Sequence, residues 1–468
     1  MQHKSNKRRN PSALISLVPI MIVGISLYFS VFLYDGQPHF SLFLGAAAAG
    51  LLGYFLGFSW KEISNGLINS INKGISALII MLIIGMLIGV WIGSGMVPAL
   101  IYIGFDLLLP AWFLPIVLIL SCVTSVITGS SWTTIGTIGV TAISVGYGLG
   151  ISEPIIAGVV VSGAFFGDKL SPMSDSTNLT SSLLDVELFT HIKHMLYTTV
   201  PSFLIALLFY TLLGLFSVKE ADIGIEVIKY QEVIKNHFNL SPLLAIPPLV
   251  VIVMVIYKVP AIPSLTAGLI LGGLTQIFIQ GQTLEKFYQT VYNGFMIETE
   301  IPEINELLSG GGLSSMYNVV AIGILALAFG GIMETTGMLK AIVNTFLKFT
   351  YRIGSLITVT LLTSVFLNIF GGNQYMSVII PGEMYRESYR EKNLQLKNLT
   401  RTLEGGGTLT SPLVPWNSGG LFVLSVLGVS PLSYGPYAVI CWLTPIIIAI
   451  YGYFDITMHK LDKVEEYS

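Results

Sequence analysis

Residues 167–180 read GDKLSPMSDSTNLT and follow an apolar run, 155–166, that predicts a membrane helix. Two aspartates, a lysine and a row of hydroxyls stand where hydrocarbon side chains should continue. Pro172 lacks a backbone N–H, and Ser171 and Ser174 offer competing local hydrogen bonds, so we expect the helix to break here. Broken backbone at membrane depth is tolerated only where protein or a watery cavity surrounds it. Because ionisable groups at that depth are costly, the stretch predicts an ion site.

A second break is predicted at residues 405–420, which read GGGTLTSPLVPWNSGG. Its Ser-Pro pair at 411–412, followed by Asn417, repeats the order of the pair at 171–172 followed by Asn178. Two broken helices in corresponding halves of a membrane protein are typical of secondary transporters, whose sites form where such helices meet.

Composition decides the class of protein. Of the 468 residues, 53 % are hydrophobic and only 10 % are charged, which is too little charge for the surface of a soluble protein of this length. We therefore predict an all-α polytopic membrane protein. The net charge of −3 and the lack of a long basic tract give no indication of nucleic-acid binding. Cys122 and Cys441 lie in apolar segments and are expected to be buried, without a disulfide or a metal.

Apolar segments long enough to cross a bilayer predict about ten transmembrane helices, five in each half of the chain. They are 12–33, 40–58, 74–95, 153–190 and 195–216, then 242–257, 263–280, 317–337, 398–428 and 434–454. Segments 153–190 and 398–428 contain the two breaks, and the polar start of the latter resembles a surface helix. The expected divisions are a basic N-terminus at 1–11, a first repeat at 12–216, an extracellular linker at 217–240, a second repeat at 241–455 and a tail at 456–468.

Each half also contains an apolar segment interrupted by a polar cluster, TGSSWTT at 128–134 and FGGNQ at 370–374. Each cluster predicts the tip of a re-entrant hairpin. Residues 89–129 align without a gap on 331–371, pairing Gly95 with Gly337 and Gly129 with Gly371, and an insertion falls near 298–316. With five crossings per half, the second repeat is inverted, the hairpins enter from opposite faces, and the breaks meet near the midplane.

Lysine and arginine positions predict the orientation in a bacterial cell membrane. A cytoplasmic N-terminus places the basic cluster at 386–401 and the C-terminus inside, and leaves few basic residues outside. Membrane lipid is the expected surrounding, and assembly as a homodimer is allowed for. His191 and His194 are expected in a solvated cytoplasmic turn.

A hard cation such as sodium prefers oxygen ligands. We predict that Asp175 supplies a buried carboxylate and that Asn178 is a further sodium ligand. Asp168 is the second candidate, although a pair with Lys169 would give it a structural role. Helix capping by the aspartates, and bonds from the tip threonines to their own helix, are the other structural readings. The predicted ion- and substrate-binding set is Asp168, Asp175, Ser174, Ser176, Thr177, Asn178, Ser130, Ser131, Thr133, Asn373, Gln374, Ser411 and Asn417.

The runs GDKLSPMSDSTN (167–178), TGSSW (128–132) and SPLVPWN (411–417) resemble the NhaC sodium/proton antiporter family, and the similarity extends over the whole chain. The resemblance implies inverted repeats with re-entrant hairpins, and sodium/proton exchange. A close relative exchanges malate and protons inward against sodium and lactate outward. For a dicarboxylate, Lys169 and the helix N-termini at the breaks are candidate ligands.

The sequence favours a secondary antiporter over an enzyme, because it contains no His-Glu-x-x-His, Gly-x-Ser-x-Gly or nucleotide-binding motif. An ion gradient is then the energy source, with sodium and protons as coupling ions and no organic cofactor. An unoccupied buried carboxylate is unstable, so a proton should replace sodium there, and the two ions should compete for one aspartate. An ion channel is the remaining alternative.

Overall fold

The computed structural model describes residues 9–34, 36–107, 110–217, 220–257, 259–346, 348 and 350–461. Helices dominate these ranges. The β-type pairing found in them consists of two isolated bridges, Phe295 with Gly310 and Leu394 with Lys460. The predicted all-α class is confirmed.

The first half of the chain contains ten helices in the described ranges. They are α1 Ala13–Leu27, α2 His39–Phe55, α3 Trp60–Gly93, α4 Met96–Leu107, α5 Pro110–Thr128, α6 Ser131–Thr134, α7 Val140–Gly148, α8 Glu153–Leu170, α9 Asp175–Leu183 and α10 Leu188–Ser217. π-helical turns extend α1 over Tyr28–Leu33 and join α6 to α7 over Ile135–Gly139. The capping box of Ser59 and Glu62 starts α3 well before the predicted residue 74.

The second half begins with a helix where a polar linker was predicted. Its helices are α11 Glu220–His237, α12 Ile246–Ile256, α13 Ala261–Phe278, α14 Leu284–Asn293, α15 Pro302–Leu307, α16 Tyr317–Thr335, α17 Met338–Phe346, α18 Ile353–Gly371, α19 Met376–Glu391, α20 Leu396–Leu403, α21 Ser418–Leu427, α22 Pro431–Tyr434 and α23 Val439–Tyr453. A π-helical turn, Glu404–Thr408, continues α20. Short 3-10 turns lie at Pro242–Ala245, Leu313–Met316, Ser411–Leu413 and Gly435–Tyr437.

Six helices among the described residues are long and apolar enough to cross a membrane: Ala13–Ser30, Trp60–Gly93, Ala111–Thr128, Leu188–Phe216, Leu313–Thr335 and Ile353–Gly371. The number rises to nine if each of three bent pairs is one span: Glu153–Leu170 with Asp175–Leu183 (43°), Lys229–His237 with Pro242–Met254 (95°), and Ser418–Leu427 with Pro431–Tyr437 (94°). Shorter apolar helices are His39–Phe55, Ile262–Phe278 and Val439–Tyr453. The chain is a polytopic membrane protein.

The first polar tip belongs to a hairpin made by α5 and α6–α7. Phe113 near the start of α5 lies against Gly146 near the end of α7, so the two limbs run antiparallel. At the tip, Gly129 has a positive φ of 68° and lies against Met173, in the break between α8 and α9. The α5 limb has the length of a full span, although the sequence predicted a short re-entrant limb.

The second hairpin, α18 and α19, is built in the same way. Gly372 at its tip has a φ of 67°, and its carbonyl accepts a hydrogen bond from the N–H of Ser418 at the start of α21, 3.1 Å away. Gly95 and Gly337 share positive φ values as aligned, whereas the conformational counterpart of Gly129 is Gly372 and not the predicted Gly371. One extra residue therefore separates the two glycines in the second half.

The hairpins enter the bundle from opposite ends. Helices α10 and α23 are antiparallel, because Tyr210 donates to the Tyr437 carbonyl at one end and the ring centroid of His194 lies 5.1 Å from that of His459 at the other. The first hairpin begins beside the Tyr210 end, where Gly214 meets Ala111. The second begins at the opposite end, where Gly354 meets Tyr453.

Glycines allow α8 to pack directly on α5 and so place the end of α8 at the hairpin tip. A Cβ added at Gly167 would stand 2.5 Å from the Cys122 carbonyl oxygen and 2.7 Å from the Val126 nitrogen. Both obstacles are backbone atoms, which cannot rotate away.

We expect Gly167→Val to separate α8 from α5 and to lower stability by about 1–3 kcal/mol or more, as overpacking does. The thermal midpoint of the detergent-solubilised protein, followed by size-exclusion chromatography, measures the effect. Gly24→Val on α1 is the matched control, since a Cβ there meets nothing within 4 Å. Equal midpoints for the two variants would contradict this account of the packing.

Candidate functional site

The break between α8 and α9 uses several predicted residues to satisfy its own backbone. Ser174 caps α9 and its hydroxyl lies 3.2 Å from that of Ser176. The Thr177 hydroxyl donates to the Lys169 carbonyl at 3.0 Å, and the Asn178 amide donates to the Pro172 and Ser174 carbonyls at 2.9 and 2.8 Å. These side chains take over the carbonyls that the broken helix leaves without a partner.

Asp168, in the last turn of α8, is buried, with a relative exposure of 6 %. Its Oδ2 accepts two hydrogen bonds from Ser131 at the tip of the first hairpin, one from the backbone N–H at 3.2 Å and one from the hydroxyl at 2.6 Å. Hydrogen bonds to a carboxylate are among the stronger ones in proteins. The tip and the break are thereby joined through a single acidic side chain.

Asp175 was predicted to be buried, but its side chain is exposed. As the first residue of α9 it lines a cavity of about 550 Å³ between the hairpin tip, α3 and the start of α13. Ser130 and Thr133 from the predicted set line the same cavity. The cavity therefore brings a carboxylate together with two hydroxyls, which are oxygen ligands of the kind that sodium prefers.

Lys169 is fully buried, and its ammonium nitrogen has no hydrogen-bond partner among the described residues. The predicted pair with Asp168 is not formed, since no described carboxylate lies within 4.0 Å of Nζ. Consecutive helical residues point about 100° apart, so the two side chains leave α8 in different directions. Lys169 does not line the cavity of Asp175, and it interacts electrostatically with Glu404.

The second break is held by amides where the first has a carboxylate. The side-chain nitrogen of Asn417 donates to the backbone and side-chain oxygens of Asn368 at 2.9 and 3.1 Å. Asn368 in turn donates to the Gly407 carbonyl at 2.6 Å. The Ser411 hydroxyl donates to Gln374 Oε1 at 3.1 Å, joining this break to the tip of the second hairpin.

Asn373 at that tip accepts a hydrogen bond from the backbone N–H of Tyr375 at 2.8 Å. Asn373, Gln374, Ser411 and Asn417 are all buried. Their hydrogen-bonding capacity is directed largely at the protein itself.

Two contacts join the halves at this level. The ring centroids of Trp132 at the first tip and Phe422 on α21 are 4.0 Å apart. The Thr180 hydroxyl on α9 donates to Oε1 of Glu404, after the end of α20, at 2.6 Å. The phenol of Tyr375 also interacts electrostatically with both Asp168 and Asp175. Both breaks and both tips thus form one polar region.

The sequence analysis missed Glu404 and Arg401, which are both fully buried. The prediction of a surface helix at the start of segment 398–428 is therefore wrong. Its polar residues find partners in residues 457–461: Arg401 donates to the Thr457 hydroxyl at 2.8 Å, and the Asn398 amide donates to the His459 carbonyl at 2.7 Å. One signal was available, because Glu404 is the only charged residue between 402 and 454.

The prediction of a solvated turn for His191 and His194 is also wrong. Both rings are buried in the first turns of α10, with relative exposures of 0 % and 2 %. The ring centroid of His459 lies 5.1 Å from that of His194, which places the chain after α23 over this end of α10.

A sequence profile described as the Na+/H+ antiporter family matches residues 11–177 and 163–456. The chain belongs to the Na+/H+ antiporter family. A malate-2H(+)/Na(+)-lactate antiporter of Bacillus subtilis is 38 % identical over 441 residues, 94 % of each chain. The Na(+)/H(+) antiporter NhaC of Alkalihalophilus pseudofirmus is 34 % identical over 94 % of this chain and 96 % of its own. The arginine/ornithine antiporter ArcD of Halobacterium salinarum is 37 % identical over 98 % and 95 %. Relatives in this family therefore carry different cargo, and all three are antiporters by name.

We expect Ser131→Ala to weaken apparent sodium affinity by about tenfold, because a hydrogen bond to a charged group contributes about 1.5–3 kcal/mol and its loss favours the protonated carboxyl. Sodium-dependent proton exchange at several sodium concentrations measures the change. Ser125→Ala is the matched control: this hydroxyl on the same hairpin donates to the Ala164 carbonyl and does not touch an acid. Unchanged affinity in Ser131→Ala would remove Asp168 from the ion site.

Proposed function

We propose that the protein is a sodium/proton antiporter in which both ions use the carboxylates at the α8–α9 break. The observation that carries this proposal is the arrangement of two acids around one hairpin tip. Asp168 is buried and bonded to Ser131, while Asp175 faces the cavity that Ser130 and Thr133 also line. Sodium entering the cavity meets Asp175 first and lies next to the buried acid.

Charge compensation couples the two ions. Moving a sodium ion out of water is unfavourable unless a carboxylate compensates, and a carboxylate left empty at this depth is itself unstable. A proton therefore replaces sodium when sodium leaves. Competition for one acidic site then links an outward step of one ion to an inward step of the other.

We further propose that the chain works by alternating access between two inverted repeats, 12–216 and 241–455. The packing supports this arrangement: α3 lies on α13 and α16 on α2, while α8 lies on α23 and α10 on α20, as expected when two related halves exchange partners. The positive-φ glycine pairs and the opposite entry of the hairpins support it as well. Rocking of one set of helices against the other would open the site to each face in turn.

The orientation belongs to the same proposal. The ends of α19 and α23 lie together, because Gln395 donates through its N–H to the His459 carbonyl at 3.0 Å, and this end carries the basic cluster at 386–401. The positive-inside rule places it in the cytoplasm, with both chain termini. Helix α11 then lies outside.

Malate/lactate exchange is the second candidate, favoured by the relative that is 38 % identical. Its weak point is Lys169, the predicted carboxylate ligand, which is fully buried and away from the cavity. A dicarboxylate would reach it only after α8 has moved relative to its neighbours.

In proteoliposomes we expect sodium to drive proton movement without added malate or lactate. Apparent sodium affinity should weaken by about tenfold per pH unit as the pH falls, since one proton competes with one sodium ion. Asp168→Asn and Asp175→Asn should each reduce exchange by about tenfold or more, because each removes a charge-assisted contact.

Asp185→Asn is the control for both variants, because Asp185 is an exposed acid paired with Arg386 outside the site. Exchange that requires malate and lactate would replace the first candidate by the second. Uncoupled conductance would indicate a channel. Near-normal exchange in Asp175→Asn would remove the cavity-facing acid from the mechanism.

Topology is tested by single cysteines in a variant without Cys122 and Cys441. We expect Glu232→Cys on α11 to react with an impermeant thiol reagent added outside cells, and Glu391→Cys at the end of α19 to react only after the inner face is exposed. Both side chains are exposed, so access depends on the side of the membrane alone. The reverse labelling pattern would invert the proposed orientation.

A further inference from the structure

Glu404 is a second buried acid that the proposed sodium site does not use. It opens the π-helical turn after α20, and its relative exposure is 0 %. Oε1 accepts the hydrogen bond from Thr180, and Oε2 has no hydrogen-bond partner among the described residues. Buried polar atoms without a partner are rare in folded proteins, so this carboxyl oxygen calls for a functional explanation.

The cation nearest in role is Lys169, which is equally buried and equally without a hydrogen-bond partner. The two groups interact electrostatically, yet they are not an ion pair within 4.0 Å. Lys169 lies on α8 and Glu404 follows α20, so this loose pair spans the two halves of the chain. Charges held apart in an apolar interior stabilise each other incompletely, which leaves the carboxyl able to take up a proton.

Glu404 is separate from the place where sodium enters. It does not line the cavity of Asp175, and its hydrogen-bond partner Thr180 lies more than one helical turn further along α9. A sodium ion needs several oxygen ligands, by the same logic as other hard cations, whereas the printed contacts of Glu404 offer one hydroxyl. A proton is the ion that fits this position.

Arg401 does not neutralise Glu404. It lies one turn earlier on α20, and its guanidinium is directed to residues 457–458, where it contacts the Thr457 hydroxyl and the Met458 sulfur. Glu404 and Asp168 are thus two buried carboxyls, each with its own hydrogen-bond donor, on opposite sides of the interface between the halves.

We propose that Glu404 is a second proton-binding group, so that the protein moves two protons for each sodium ion. This rests on the proposed sodium/proton exchange. One proton binds at Asp168 in competition with sodium; the other binds the Glu404 carboxylate and leaves it to water when the site opens to the opposite face. Lys169 keeps its charge and positions the carboxyl. The complete cycle carries one net charge, so transport responds to membrane potential.

The test compares the sodium gradient that a fixed pH difference sustains in proteoliposomes clamped at zero potential. One pH unit should sustain a gradient of about a hundredfold with two protons per sodium and about tenfold with one. We expect the larger value for the wild type and the smaller for Glu404→Gln, which keeps the acceptor for Thr180 but cannot bind a proton. Exchange by Glu404→Gln should also stop responding to an imposed potential.

Glu334→Gln is the matched control. Glu334 is a partly exposed acid that pairs with Lys73 at 3.3 Å, so its loss should leave the hundredfold gradient intact. If Glu404→Gln fails to fold because Lys169 is left buried alone, the double variant Lys169→Met with Glu404→Gln removes both charges and should sustain the tenfold gradient.

A tenfold gradient in the wild type, or a hundredfold gradient in either Glu404 variant, would overturn the proposal. Complete loss of exchange in a folded variant that still binds sodium would overturn it too, because a pure proton carrier is dispensable for one-proton exchange. Absence of sodium/proton exchange in the wild type would instead refute the underlying function.

Discussion

The backbone N–H and the hydroxyl of Ser131 both donate to one oxygen of Asp168, and this contact fixes where the first hairpin ends. A helix broken inside an apolar bundle leaves carbonyls and N–H groups that water does not reach. The break between α8 and α9 meets this constraint with its own hydroxyls and amides, and with a hairpin tip brought to the same level. The glycine packing of α8 on α5 follows from the same requirement, because the tip reaches the break only when the two helices nearly touch.

The two halves meet the constraint with different chemistry. In the first half an acid receives the hairpin tip, whereas in the second half Asn368 and Asn417 bond to each other and Ser411 bonds to Gln374. The second half places its acid, Glu404, at the end of α20, and bonds it across the interface to Thr180. A shared scaffold therefore carries an uneven distribution of charge, and in our proposal that unevenness separates a site for sodium or a proton from a site for a proton alone.

The sequence was informative where one residue type has one physical consequence. Prolines after serine predicted both breaks, and the polar clusters at 128–134 and 370–374 predicted both tips. It was misleading where burial depends on distant partners. Asp168 and Asp175 flank the same break, and which of them faces a cavity is decided by the start of α13, about ninety residues further on. Residues 396–404 look like a surface helix because their partners, Thr457 and His459, come from beyond α23.

Those late partners have a consequence for how the protein is made. Asn398 and Arg401 are satisfied by residues 457–459, and the Leu461 N–H donates to the Asn393 carbonyl at 3.1 Å. Helix α20 thus keeps unpaired polar groups during synthesis until this stretch has left the ribosome. A nascent chain whose first nineteen helices are already inserted still lacks a closed Glu404 compartment. Assembly of that compartment is therefore among the last steps of biogenesis, and a growing chain does not offer protons a finished route across the membrane.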